Sequence, residues 1–202
     1  NNYLEIAPVM TSHQFDYVFH YAAVVGVTRT LANPAMVLED LAGIKNILSL
    51  CKNTGVKRVF YSSSSEVYGE PVELPQHEET TPLNSRLPYA IVKNAGEAYC
   101  KAFKQEYDLD YTIFRFFNTY GPHMHPNDGR VVSNFIVQAL TNKVITIYGD
   151  GTQTRAFCYV DDMVNAFLKM MDLEGSPQTP INLGNPGEFT MIELAEAVIR
   201  LT

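Results

Sequence analysis

The stretch Arg58-Val59-Phe60-Tyr61-Ser62-Ser63-Ser64-Ser65-Glu66 decides the fold of this 202-residue chain. It opens on a short run of strand-forming residues, so the serines stand where a buried strand ends. In an open α/β sheet the ligand crevice lies at the carboxyl ends of the strands. Hydroxyls followed by a carboxylate at such an end can hydrogen-bond a substrate and exchange a proton with it. The alternative is that these residues form only a serine-rich turn with a solvated Glu66 and take no part in chemistry.

Strand and helix patterns alternate around this stretch. The predicted order is strand 16–23, helix 34–54, strand 56–63, loop 69–86, helix 88–107 and strand 111–117. Pro34 suits the first turn of the first helix and Gly55 suits its C-terminal cap. Two strand–helix–strand units in succession indicate right-handed crossovers in a parallel sheet, and therefore an α/β fold.

After Asn118 the sequence becomes rich in turns. The predicted elements are helix 133–141, strand 144–148, helix 163–171, strand 181–184 and a last helix capped by Thr190. Asp161 and Asp162 suit the N-terminus of the helix they precede, where the helix dipole favours negative charge. We expect this part of the chain to form a smaller α/β lobe that closes over the sheet.

The composition of the chain indicates which kinds of partner it can bind and in which cellular compartment it works. The net charge of −7 argues against a nucleic-acid backbone or an anionic membrane as the main partner. No apolar run approaches the ~20 residues of a transmembrane helix. Cys51, Cys100 and Cys158 form no CxxC pair, which favours reduced thiols over disulfides or a zinc site. The sequence therefore predicts a cytoplasmic protein.

Tyr89 and Lys93 form a Y-x-x-x-K pair near the start of the second long helix. The i, i+4 spacing puts both side chains on one helix face. A free tyrosine has a pKa near ~10 and is a poor base at neutral pH, but an adjacent ammonium favours the phenolate and lowers that pKa. Such pairs are also common as plain surface neighbours. Here the helix begins one loop after the serine-rich strand end, so we expect Tyr89 to meet Ser64.

Seven motifs succeed one another along the chain: HYAA, SSSSEVYG, PYAIVK, RFFNTYGP, NDGRVVSNF, IYGDGTQTRAFCYVDD and INLGN. In this order they resemble the extended short-chain dehydrogenases/reductases of the NAD-dependent epimerase/dehydratase family, which act on nucleotide sugars. The closest resemblance is to UDP-glucuronate decarboxylases, and UDP-sugar 4-epimerases come second. The resemblance implies NAD as cofactor, a nucleotide-sugar substrate and a homodimer formed through the two long helices.

The resemblance also implies a Rossmann-type sheet. Residues 1–118 are expected to form a partial NAD-binding domain, and residues 119–202 a truncated substrate-binding lobe with returning Rossmann elements. The Gly-rich turn that grips the cofactor pyrophosphate belongs to an N-terminal βαβ unit. No G-x-x-G-x-x-G precedes His20, so we expect that unit to be missing from this chain.

The residue roles implied by the resemblance centre on the strand end and the helix after it. Tyr89 is implied to take the proton of the sugar 4-hydroxyl, Lys93 to hold the nicotinamide ribose, and Ser64 to hydrogen-bond the same hydroxyl. The remaining positions implied to contact the cofactor are Ala22, Ala23, Ser62, Phe117, Thr119 and Arg130. Those implied to hold the nucleotide sugar are Ser65, Asn118, Ser133, Asn134, Phe135, Tyr148 and Arg155.

Positions 65 and 66 separate the reaction types within the family. Related 4,6-dehydratases carry an Asp-Glu pair here, whereas this chain has Ser65-Glu66, so the acid for dehydration is missing. The Ser-Glu pair at this point resembles that of the decarboxylases. By that resemblance, Glu66 would act near the substrate carboxylate or through a water. A 4-epimerase and a non-catalytic chain that acts only through oligomer contacts are the alternatives.

A short histidine motif raises the question of a metal. His123 and His125 form H-x-H in a loop, and Asp128 is nearby in sequence. No third ligand stands at a supporting spacing, so we predict no metal site. His123 also stands where the decarboxylases carry arginine.

Overall fold

The computed structural model describes residues 1–127 and 129–202, which divide into two compact units. Unit 1 comprises residues 1–25, 29–116 and 173–182, and unit 2 comprises residues 26–28, 117–172 and 183–202. The helices are α1 Tyr3–Ser12, α2 Val27–Ala32, α3 Pro34–Leu38, α4 Asp40–Thr54, α5 Pro88–Tyr107, α6 Val131–Leu140, α7 Val160–Met171 and α8 Met191–Leu201. The strands are β1 Tyr17–His20, β2 Arg58–Ser64, β3 Asp110–Phe116, β4 Asn118–Tyr120, β5 Thr154–Tyr159, β6 Ile181–Leu183 and β7 Glu188–Thr190. A 3₁₀ turn, Ser65–Tyr68, comes directly after β2.

The sheet of unit 1 has the strand order β1-β2-β3-β6, and β1, β2 and β3 run parallel. Every residue of β2 is buried, as expected for a central strand covered on both faces. On one face, the ring of Phe60 stacks on Phe19 and Phe114, with centroid distances of 4.7 and 6.2 Å. Val59 and Tyr61 point to the opposite face and pack with α4 and α5 in the main apolar core. The predicted α/β class and parallel sheet are confirmed.

Helix α5 has the predicted bounds and lies against the sheet. Pro88 occupies its first turn, and Asp108 ends it in the left-handed conformation. Gly96 allows a close approach, because a Cβ at this position would overlap the hydroxyl and ring of Tyr61. The Tyr61 hydroxyl donates to the Lys93 carbonyl at 3.3 Å. The helix is thereby fixed at short distance above the strand that ends in the serines.

The prediction for the N-terminal part of unit 1 is wrong in one place and incomplete in another. The single helix expected at 34–54 is interrupted, and α3 and α4 are separated by Glu39. The Glu39 carbonyl accepts from the Asn1 side chain at 3.0 Å and from the Ala42 amide, three residues on, which tightens the turn there. Helix α1 was not predicted, and its Met10 is buried in the main core.

Unit 2 has a sheet of strand order β4-β5-β7, in which β4 and β5 are parallel and β5 and β7 antiparallel. Phe135 of α6 packs with Ala195 and Val198 of α8 in a buried cluster. Thr190 begins α8 with a complete capping box to Glu193, as the sequence predicts for the cap.

The strand expected at 144–148 is absent from the structure. Ile145 and Ile147 pack inward while Tyr148 is exposed, so buried and exposed side chains alternate here as they would along a strand. The Thr146 amide, however, donates to the Gln138 side-chain carbonyl at 3.0 Å instead of to a strand. A side chain of α6 thus provides the hydrogen bond that a neighbouring strand would supply.

Two expectations drawn from the composition concern the cysteines and the absence of membrane-spanning helices, and both can be compared with the described residues. All three cysteines are buried free thiols. None of the helices within residues 1–127 and 129–202 combines the length and the apolar character needed to cross a bilayer. Asp161 and Asp162 lie in the first turn of α7, as predicted.

Candidate active site

The carboxyl end of β2 presents buried hydroxyls followed by an exposed carboxylate. Ser62, Ser63 and Ser64 are at most 8% exposed. The Ser64 hydroxyl accepts from the Glu66 amide at 3.2 Å and begins the 3₁₀ turn. This hydroxyl keeps its own proton for a second partner, because it acts as acceptor in that bond. Ser65 is half-buried and Glu66 is exposed, so the carboxylate can be reached from outside the fold.

Lys93 reaches this strand end from α5. Its Nζ donates to the Ser62 carbonyl at 2.6 Å and lies 3.4 Å from the Ser62 hydroxyl. The residue is 3% exposed, and burial lowers the pKa of its ammonium to about 8, an effect that Asp40 partly opposes. Nζ also lies 5.6 Å from the centroid of the Tyr89 ring, which is half-buried. The helix thus brings Lys93 to Ser62 and Tyr89 to Lys93, while the meeting of Tyr89 with Ser64 stays a prediction.

His20, at the carboxyl end of β1, is a polar residue that sequence reasoning did not include in the site. Burial and then the nearby Lys93 charge lower the pKa of its imidazole to about 4, so the ring is neutral at pH 7. Among the residues that the structure describes, its Nε2 is the one buried side-chain nitrogen or oxygen without a hydrogen-bond partner. Its position in HYAA was the available signal. Ala22, exposed, and Ala23, half-buried, come after it in the chain.

Two of the predicted cofactor-contacting residues lie together in unit 2. Thr119 and Arg130 line an open cavity of about 400 Å³, together with His123 and His125. Phe117 is half-buried, and its amide donates to the Leu183 carbonyl at 2.9 Å. The cavity walls therefore combine hydroxyl, guanidinium and imidazole groups.

The residues predicted to hold the sugar nucleotide differ in exposure. Asn118 and Arg155 are exposed and bond to backbone carbonyls, and Tyr148 is 81% exposed. Asn134 is half-buried and donates to the Gly129 carbonyl at 3.2 Å. Two others are buried and belong to the packing of α6: Ser133, whose hydroxyl donates to Arg130 O, and Phe135, which is 2% exposed.

The H-x-H motif has no metal-ligand cluster around it within the described part of the chain. Residues 1–127 and 129–202 hold no group of three or more His, Cys, Asp or Glu side chains that could bind an ion. His125 Nδ1 accepts from the Asn127 amide at 3.1 Å. Asp128, the third residue considered, lies outside the described residues.

The parallel sheet, the serine strand end and the Tyr-Lys helix define a class of protein. Residues 2–184 match the model of the NAD dependent epimerase/dehydratase family. The chain belongs to this family.

Among curated proteins, the chain is 42% identical over 193 residues to UDP-glucuronic acid decarboxylase 5 of Arabidopsis thaliana. The match covers 93% of this chain and 56% of the plant protein. UDP-glucuronic acid decarboxylase 1 of Danio rerio is 40% identical over 190 residues, which are 92% of this chain and 45% of the fish protein. The chain thus spans about half the length of these relatives.

Among solved structures, the fold is similar to UDP-glucose 4-epimerase of Thermotoga maritima, which was solved with UDP-glucose. The TM-score is 0.93 at 31% identity, and the match covers 100% of this chain and 65% of the epimerase.

Proposed function

We propose that this chain carries the oxidation site of an NAD-dependent nucleotide-sugar enzyme that converts UDP-glucuronate into UDP-xylose and carbon dioxide. The observation that carries the proposal is the buried Lys93 ammonium, bonded to the strand end at Ser62 with the Tyr89 ring beside it. The identity to UDP-glucuronic acid decarboxylases and the Ser65-Glu66 pair support the choice of reaction.

The residues of unit 1 fit the polar ribose end of NAD. Lys93 directs its ammonium at Ser62 and can still donate to a ribose hydroxyl, since an ammonium has three protons. His20 Nε2 is a buried polar atom without a partner at the adjacent strand end, as expected where a polar ligand group completes the site. NAD, when bound, supplies the acceptor for the C4 hydride and the source from which that hydride returns.

The side chains of this chain handle the protons. Tyr89, as phenolate, takes the proton of the sugar 4-hydroxyl while Ser64 holds that oxygen by a hydrogen bond. Oxidation at C4 makes the neighbouring acid a β-keto acid, so the C5–carboxyl bond can break with its electron pair moving towards the 4-ketone. C5 would then take a proton from water, and Tyr89 would return its proton to O4 when C4 is reduced again. Glu66, exposed beside the strand end, would act at the carboxylate or through a water.

A UDP-sugar 4-epimerase is the second candidate. The TM-score of 0.93 to a UDP-glucose 4-epimerase supports it, because an epimerase uses the same C4 oxidation. The two functions share Tyr89, Lys93 and Ser64 and differ in the fate of the oxidised sugar. Loss of the carboxylate defines the decarboxylase, and return of the hydride to the other face of C4 defines the epimerase.

Product analysis separates the candidates. The protein expressed from its complete reading frame is incubated with NAD and UDP-glucuronate, and the products are identified by chromatography and mass spectrometry. UDP-xylose with carbon dioxide supports the proposal, whereas UDP-galacturonate supports the epimerase. Absence of both products, with a panel of other UDP-sugars also unchanged, leaves the non-catalytic alternative.

Tyr89→Phe tests the assigned base. Removal of a general base costs roughly 10²- to 10⁴-fold in rate, so turnover should fall at least ~100-fold while the protein stays folded. Tyr99→Phe is the matched control, because Tyr99 is a half-buried tyrosine of the same helix that packs into the apolar core. Unchanged C4 oxidation in Tyr89→Phe would remove the proposed role.

The quaternary state and compartment belong to the same proposal. We expect a cytoplasmic homodimer joined through α4 and α5, whose apolar outer side chains include Ile91 at 47% exposure. Light scattering on the purified protein measures the subunit number directly, and a monomer at working concentration would contradict the dimer.

A further inference from the structure

A buried arginine of β3 connects the parts of unit 1 that carry the proposed catalytic residues. Arg115 is 2% exposed and forms a two-bond fork with Glu97 of α5, Nε to Oε1 at 2.9 Å and Nη2 to Oε2 at 2.7 Å. Its Nη1 donates to the Tyr68 hydroxyl at 2.8 Å and to the Glu78 carbonyl at 3.0 Å. One guanidinium thus holds α5, the 3₁₀ turn and the loop that joins them.

The same group adjoins the serine strand end. In the parallel register Arg115 lies opposite Ser63, one position before Ser64. The Ser63 hydroxyl donates to Glu97 Oε1 at 2.6 Å, so the carboxylate receives from both neighbouring strands. Glu97 lies one helical turn after Lys93 on α5, and Tyr89 precedes it by two turns on the same face.

A second layer of bonds extends the network into the loop. The Tyr68 hydroxyl donates to the Asn182 side-chain oxygen at 2.7 Å. The Asn182 amide donates to the Glu78 carboxylate at 2.9 Å, and its side-chain nitrogen donates to the Gln76 carbonyl at 2.9 Å. The loop between the two catalytic segments is therefore bonded at its middle to the sheet of unit 1.

We infer that Arg115 is a positioning residue that sets the Ser64–Glu66 strand end against the Tyr89–Lys93 helix face. This inference rests on the proposed function for its catalytic consequence. The geometry favours a positioning role over simple packing because the guanidinium bonds to three segments at once. Buried ion pairs contribute little net stability compared with apolar packing, whereas a planar fork fixes its partners in direction.

The test is Arg115→Lys in the protein from the complete reading frame. Lysine keeps the charge and loses the fork, so it can reach only part of the network. We expect kcat to fall roughly tenfold or more with KM little changed, since small misplacements of catalytic groups reduce rates strongly. The pH profile of turnover should also change, because Tyr89 and Lys93 would no longer be held in the geometry that the network sets.

Arg58→Lys is the matched control. Arg58 is also buried in the sheet, pairs with Asp110 and donates to the Leu173 and Gly175 carbonyls, but it lies at the opposite end of β2. Its replacement should lower the melting temperature without moving the pH profile. A structural role for Arg115 would give the same result in Arg115→Lys, and that result would overturn the inference.

Amide hydrogen exchange provides a readout that does not need turnover. In Arg115→Lys, exchange should accelerate in residues 65–68, 76–78 and 88–93, and these regions should stay protected in Arg58→Lys. If Arg115→Lys does not fold, Tyr68→Phe replaces it in the test, because this change deletes only one oxygen of the network. Tyr68→Phe should show the same exchange pattern more weakly. Unaltered exchange there would refute the positioning role, whereas an inactive wild type with the expected exchange pattern would count against the proposed function alone.

Discussion

Replacement of Lys93 by methionine should change how the stability of the protein depends on pH. Burial lowers the pKa of this ammonium from 10.5 to about 8. Between those pH values the unfolded chain holds a proton that the folded chain has released, so the free energy of unfolding rises with pH. The full difference is about 3 kcal/mol, most of which should be gained between pH 7 and pH 10.

The measurement is urea unfolding of the wild type and of Lys93→Met at a series of pH values. The quantity compared is the difference between their free energies of unfolding. Cys51 and Cys100, whose pKa burial raises to about 12, oppose the rise in the wild type. They are present in both proteins and cancel in the difference. Lys101→Met, at an exposed position of the same helix, controls for the loss of one positive charge. The reasoning would be refuted if the free energy of unfolding of the wild type, relative to that of Lys93→Met, rose by less than about 1 kcal/mol between pH 7 and pH 10.

Two further predictions concern local packing and capping. Gly96→Ala should destabilise the protein by about 1–3 kcal/mol, because its Cβ overlaps the Tyr61 ring in the core; a melting temperature equal to wild type would contradict this contact. Thr190→Ala should cost about 1 kcal/mol, because it removes the side-chain cap from the Glu193 amide; unchanged urea unfolding would show that the capping box adds no stability.

The sequence predicted the elements whose signals are local. Helix α5 has Pro88 at its start and an amphipathic pattern up to Tyr107, so its bounds needed no knowledge of the tertiary fold. The strand that ends in Ser64 was recognised from its strand formers and the small polar residues after them. The contact of Lys93 with Ser62 agrees with the order of these two elements in a parallel sheet.

The features that were missed depend on side-chain partners that lie outside the element concerned. The stretch 144–148 alternates like a strand, but Gln138 takes the bonding place of a neighbour. The break at Glu39 involves Asn1, and the fork of Arg115 involves Glu97 and Tyr68. Neither composition nor periodicity reports which distant side chain fills a hydrogen-bonding position, so such links became visible only in the folded chain.

The place of residues 173–182 in unit 1 has a consequence for biosynthesis. These residues supply part of β6, the neighbour of β3, and bond to Arg58 and Tyr111 after an excursion of the chain through unit 2. A ribosome emits the chain from its N-terminus, so β3 waits with an open edge until more than fifty further residues have been made. During that interval the open edge of β3 exposes backbone groups that can pair with another chain, and closure of the sheet is a late, long-range step of folding.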